Sequence, residues 1–156
     1  MALPLGTINP SLDILTIAGH VVTGYADDTK ITIERDNDIM NKLVGVNGDY
    51  SLAQNLDSTG TMTVRLQETS PSNEFFWTAL TAMNLGEVKG VFAYTCTRNN
   101  AASSIKGGVC WLQGQPSMDY GSEVAVYEWV FGVSSAASGP AGTVDAIEKA
   151  KDVAGL

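Results

Sequence analysis

The 156-residue chain has one histidine, two cysteines and nine basic residues, and each shortage removes a class of function. His20 alone excludes any site that needs two imidazoles, and Cys96, Cys110 and His20 contain no closely spaced ligand pair for zinc. No nucleophile elbow or cysteine-protease signature accompanies His20. It therefore reads as a strand histidine, and no catalytic residue, metal or cofactor is expected. Asp27 and Asp28 beside Lys30 are not followed by the spacing of a calcium loop. "GVNG" and "SIKGG" lead into no helix carrying the lysine and hydroxyl of a phosphate loop. With 17 acids the net charge is −8, which argues against a surface built to neutralise phosphates. No apolar run approaches the roughly 20 residues of a membrane span, and "MALPLGTINP" lacks the basic start and apolar core of a secretory signal. The expectation is synthesis in a cytoplasm without export or membrane insertion, with Cys96 and Cys110 as small buried residues in a reducing compartment.

What the chain does contain is β-strand pattern. At 44% hydrophobic residues it can bury one core, and its length suits one domain with tails. "LTIAGHVVTGY" (15–25) and "TKITIER" (29–35) read as two strands separated by a turn at 26–28. Residues 36–57 form an excursion whose Asn47-Gly48 pair suits a hairpin turn, with Asp36, Asp38, Asp49 and Asp57 facing water or another chain. "GTMTVRLQE" (60–68) places Met62, Val64 and Leu66 on a packed face and Thr61, Thr63, Arg65 and Gln67 on the other. Further strands are expected at 91–97, 104–115 and 123–133, with a turn over 98–103. In the last strand Ala125, Tyr127, Trp129 and Phe131 alternate with Val124, Val126, Glu128 and Val130, so both faces call for cover. Trp77, Trp111, Tyr127 and Trp129 lie in apolar rather than basic surroundings, which points to core or interface packing.

One helix interrupts this pattern at about 71–84. Ser70 can cap it, Pro71 suits its first position and Glu74 its first turn. Phe76, Leu80 and Met83 recur at helical spacing, giving a stripe that packs on one face of a sheet. Residues 1–13 read as an extended N-terminal arm, 14–133 as the β domain and 134–156 as a linker with a short C-terminal helix. In that helix Val144, Ile147 and Lys151 share a face. A helix so short either frays or docks, on its own domain or on another subunit.

"GYADDTKITIERDND", "GVNGDYSLAQNLDSTGTMTVRLQETSPSNEFF" and "YEWVFG" together resemble the tail tube subunits of contractile-tailed bacteriophages over about residues 24–132. The resemblance implies a mainly β subunit, a β-sandwich or half-barrel with a flanking helix. Six copies would close a hexameric ring with a continuous 24-stranded barrel. Rings would stack into a hollow conduit for genome ejection, inside a sheath protein. A tape-measure protein and then DNA would occupy the lumen, with baseplate and tail terminator at the ends. The place of action would be the virion tail, after assembly in the host cytoplasm. Six subunits would carry about −48 charges, and an acidic lumen lets DNA slide without adhering. On this reading Lys30, Thr32, Glu34, Thr61, Thr63, Arg65 and Gln67 are the lumen candidates, with Lys30 and Arg65 pairing with acids of adjacent strands. Ring stacking and contacts between subunits fall to Arg35, Asp36, Asp38, Asp49 and Asp57.

Two other readings remain open at this level. One is the tube of a related injection machine, such as type VI secretion or a bacteriocin-like tail. The other is a carbohydrate-binding β-sandwich that uses Trp111 or Trp129 as a platform.

Overall fold

The computed structural model describes residues 10–27, 29–87, 89–98 and 107–136. After a 3-10 turn at Pro10–Leu12, nine strands and one helix follow: β1 (Ile14–Ile17), β2 (His20–Val21), β3 (Ile31–Arg35), β4 (Met40–Val44), β5 (Tyr50–Gln54), β6 (Gly60–Gln67), α1 (Pro71–Asn84), β7 (Val91–Thr97), β8 (Gly108–Gly114) and β9 (Val126–Val133). Seven strands form an antiparallel sheet in the order β2-β1-β7-β8-β9-β6-β3, and β4 and β5 form a separate hairpin. The expectation of a mainly β chain with a single helix over 71–84 matches these elements.

The sheet is rolled. β1 and β6 lie four positions apart in it, about 19 Å if it were flat. Yet the Val22 amide bonds the Leu15 carbonyl of β1, and two residues later the Gly24 carbonyl accepts from Gln67 of β6. Two residues span at most about 7 Å, so the sheet must curl to bring those strands together. Inside the roll lie Leu15, Ile17, Met62, Val64, Leu66, Phe76, Tyr94, Trp129, Phe131 and Val133. Period-2 alternation selects them: on β6, Met62, Val64 and Leu66 are sealed while Thr61, Thr63, Arg65 and Gln67 are half-exposed.

The strand expected over 15–25 is broken, which corrects the sequence reading. Ala18 and Gly19 take positive φ angles of 52° and 80° and reverse the chain into β2, a turn that glycine favours and alanine tolerates at a cost. Apolar pattern alone did not expose this break, because Leu15, Ile17 and Val22 are buried on both sides of it. The strand expected from 123 begins only at Val126, and the one expected from 104 is seen over Gly108–Gly114, residues 104–106 lying outside the described residues. Residues 99–103 of the expected turn lie outside the described residues.

Helix α1 begins where expected. Ser70 Oγ accepts from the Ser72 amide, Pro71 opens the first turn and Glu74 sits near the positive end of the helix dipole. Its packing differs from the expected stripe. Ser72, Asn73 and Phe76 are buried, while Leu80 and Met83 are only half-buried. The helix therefore seats its N-terminal half, with Phe76 against Trp129 and Phe131 at ring-centroid distances of 5.3 Å each, and its later turns lie toward the surface. That half closes the seam of the roll: Ser70 Oγ donates to the Thr23 carbonyl (2.6 Å), and the Thr23 amide donates to Ser72 Oγ (3.0 Å).

The boundaries of the body also shift. The Ser134 amide bonds the Val109 carbonyl, the Ala136 amide bonds the Ser58 carbonyl, and Tyr94 donates to the Ser135 carbonyl. The body thus extends to Ala136. The far ends of the expected arm and tail, 1–9 and 137–156, including the C-terminal helix, lie outside the described residues.

Candidate functional site

Three surfaces are left unfinished within the described chain, and each follows from strand register. The first is the outer face of β3, β6 and β9. Pairing sets Thr32 opposite Thr63, Glu34 opposite Thr61, and Arg65 opposite Glu128. Thr32, Glu34, Thr61, Thr63, Arg65 and Glu128 line one shallow groove. Five of the expected lumen residues therefore share this groove, and Arg65 finds its acid on β9, with Nη2 2.9 Å from Glu128 Oε1. Gln67 continues the row but turns its amide to the Tyr25 carbonyl (3.1 Å).

Lys30 departs from the row. Its ammonium donates to the Pro10 carbonyl (2.7 Å) and lies 5.4 Å from the centre of the Tyr25 ring. Burial pushes the Tyr25 hydroxyl up to about 12, with smaller contributions from Cys96 and Asp13, so the lysine faces a neutral ring.

The second surface is the free edge of β3. The Arg65 amide bonds the Lys30 carbonyl and the Asp36 amide bonds the Thr59 carbonyl. In antiparallel pairing this sets the backbone groups of Lys30, Thr32, Glu34 and Asp36 toward β6 and those of Ile31, Ile33 and Arg35 away from it. No described strand pairs with that edge.

The third surface is the β4–β5 hairpin, which projects from the body. Pairing of Met40 with Gln54, Lys42 with Leu52, and Val44 with Tyr50 puts Met40, Val44, Tyr50 and Leu52 on one face, all of them exposed. Sequence reading emphasised the acids of this excursion and missed the apolar face. The signal was present in the shared period-2 phase of Met40 and Val44 on one strand and of Tyr50 and Leu52 on the other.

Three of the expected stacking residues fasten the base of this hairpin within the subunit. Arg35 Nη2 donates to the carbonyls of Asn55 (3.0 Å) and Asp57. Asp57 accepts from the Thr59 hydroxyl (2.7 Å) and amide and from Asn37 Nδ2 (2.8 Å). The Thr59 bonds, the hydroxyl first, hold the Asp57 carboxyl below its ordinary value, with Asn37 and Arg35 assisting. Asp36 accepts from Thr61 Oγ1 (2.9 Å). Asp38 and Asp49 are exposed.

No protein family matches the chain, and no curated protein matches it. Among solved structures it is similar to the tube terminating cap of the anti-feeding prophage, seen by cryo-EM. The two are 12% identical with a TM-score of 0.56, over 86% of this chain and 92% of that one. At this identity the likeness is one of fold.

Several other groups serve the interior. His20 Nε2 lies 3.0 Å from Ser72 Oγ and the ring stacks on Phe75 with centroids 4.5 Å apart. Ser72 Oγ already accepts from the Thr23 amide, so its hydroxyl proton is free to point at the imidazole. No cluster of three or more His, Cys, Asp or Glu suited to a metal occurs among the described residues. Burial pushes the Cys110 thiol up to about 11 and raises that of Cys96, where Asp13 adds to the effect. Trp129 is fully buried and unavailable as a platform, whereas Trp111 lies on the outer face against Gly132, where an added Cβ would collide with the indole.

Proposed function

We propose that this chain is the tube subunit of a contractile-tailed bacteriophage. Six copies form a ring, rings stack into a hollow conduit for genome ejection, and the chain has no catalytic role. The observation that carries this reading is the unfinished sheet. β8, β9, β6 and β3 are neighbours in that order and stop at an unpaired edge. An open edge of this kind invites pairing with another chain, and closure into a ring removes it. The likeness in fold to a tube terminating cap supports the reading, and the phage-like segments quoted above narrow it from contractile injection machines in general to a phage tail.

In such a ring the face carrying Thr32, Glu34, Thr61, Thr63, Arg65 and Gln67 lines the channel. Its ion pair between Arg65 and Glu128 leaves Glu34 as uncompensated charge along this row, repelling DNA. The β4–β5 hairpin, held at its base by Arg35 and Asp57, carries its apolar face to a neighbouring ring. The sheath protein lies outside, the tape-measure protein and DNA inside, with baseplate and terminator at the ends and the virion tail as the place of action. A cap at the tube end is the second reading, favoured by the name of the similar structure.

Negative-stain electron microscopy of the purified protein with light scattering tests both. Stacked rings or tubes are expected. Rings that never stack would favour the cap, and a monomer that added baseplate also fails to recruit would refute the tube.

A further inference from the structure

Two apolar surfaces of the described chain face water, and they sit at opposite ends of one strand. The β4–β5 hairpin leaves the body at the Gly60 end of β6, where Arg35 pairs with Gly60 and donates to the Asn55 and Asp57 carbonyls. On one face of the hairpin Met40, Lys42 and Val44 lie opposite Gln54, Leu52 and Tyr50. All ten residues of β4 and β5 are exposed, so the hairpin does not lie against its own body. Lys42, in the middle of this face, is the only basic residue between 36 and 57.

The other surface is an open groove of about 790 Å³ beside α1. Glu68 and Tyr127 place it at the Gln67 end of β6, since Glu68 follows that strand and Tyr127 pairs with Leu66. Its floor is apolar, with Trp77 edge-on to Trp129 at 4.8 Å, and Leu85 is 71% exposed. Its rim is acidic, and no lysine or arginine lines it. Glu68 already accepts from the Ala125 amide (3.3 Å), which leaves Glu74 and Glu87, both exposed, as the carboxylates facing a partner. The α1 wall from Glu74 to Leu85 measures about 16 Å, against about 14 Å for the five residues of β4.

We propose that the α1 groove receives the β4–β5 hairpin of a second copy, with Met40, Val44, Tyr50 and Leu52 over Trp77 and Leu85 and with Lys42 between Glu74 and Glu87. Charge selects the groove. Two hairpins meeting face to face would set one Lys42 against another, whereas the acidic rim neutralises it. Position selects the second copy. The hairpin base at Gly60 and the groove at Glu68 lie eight residues and about 27 Å apart along β6. To reach its own groove the hairpin would have to fold back along that strand, which the bonds from Arg35 at its base and the exposure of both its strands oppose. A projecting face at one end of the subunit and its receptor at the other make the contact head-to-tail. Repeated from copy to copy, such a contact builds an open stack rather than a closed pair.

This inference rests on the assembly reading above, since it names what the hairpin docks on, and the test separates the two. Isotope-labelled and unlabelled full-length protein are mixed before assembly, with baseplate added where stacks do not form unaided. The sample is treated with a zero-length carbodiimide crosslinker and digested for mass spectrometry, and a portion is viewed by electron microscopy. Lys42 joined to Glu74 or Glu87, with one label on each peptide, in a sample of stacked rings is the expected result. Stacks without that pair, or with same-label pairs alone, would overturn the docking and leave the tube standing. A sample that never stacks with baseplate present would overturn both. Charge reversal supplies a second arm: Lys42→Glu should raise the concentration at which stacks form at least about tenfold while leaving the unfolding midpoint of the subunit unchanged. Adding Glu74→Lys with Glu87→Lys should lower that concentration again. Stacking indifferent to Lys42→Glu, or not recovered by the combined variant, would overturn the proposal.

Discussion

Asn73 is the residue whose loss should cost the isolated subunit most for its size. It is 5% exposed, its Nδ2 donates to the carbonyls of Gln67 (2.8 Å) and Glu68 (3.2 Å), and its Oδ1 accepts from the indole of Trp129 (3.0 Å). One side chain thus ties the first turn of α1 to the end of β6 and to the centre of the core. Asn73→Ala leaves the Trp129 N–H buried without a partner, at about 1–3 kcal/mol, and removes a bond to Glu68 worth about 0.5–1.5 kcal/mol. The Gln67 carbonyl keeps the Ser70 amide at 2.9 Å, so it adds little. The expected loss is about 2–4 kcal/mol, or roughly 5–15 °C in Tm for a domain of this size. Urea unfolding followed by tryptophan fluorescence, on dilute unassembled protein, measures it. In a Trp129→Phe background, which has no indole N–H, the same substitution should cost at least about 1 kcal/mol less. A loss below about 1 kcal/mol in the wild-type background, or an unchanged cost in the Phe background, would refute the assignment.

Other outcomes follow from the same geometry. Gly132→Val drives a side chain into Trp111, so the indole should swing into water, with a red-shifted emission and a loss of about 1–3 kcal/mol. Val44→Glu with Leu52→Glu, both at exposed hairpin positions, should leave the unfolding midpoint of the subunit unchanged while abolishing stacking in electron micrographs. The Cys110 thiol is raised from 9.0 to about 11 in the fold, so the unfolded chain loses its proton first as pH rises. Its contribution to stability is complete below about pH 9 and lost by about pH 11, with a slope of up to about 1.4 kcal/mol per pH unit, and Cys110→Ala should flatten urea midpoints measured across that range. Arg65→Ala breaks a half-exposed ion pair and should cost less than about 1 kcal/mol in the same unfolding assay.

By itself the sequence determined the helix and the faces of the long strands. Ser70, Pro71 and Glu74 act within one turn of chain, so the start of α1 at Pro71 needed no tertiary information. Alternation along 60–68 likewise assigned Met62, Val64 and Leu66 to the core, because a strand has only two sides. Tertiary structure decided which elements meet. β3 pairs with β6 and β2 with β1, at opposite ends of the sheet order, because the sheet rolls and the chain crosses its seam at 22–24. That crossing also decides that Phe76, not Leu80 or Met83, reaches the core, since only the first turns of α1 lie over the seam. Sequence pattern did not single out Asn73 and assigned Arg35 to contacts between subunits. Their roles depend on partners 56 and 20 residues away, and distances of that kind are set by the closed fold rather than by local pattern.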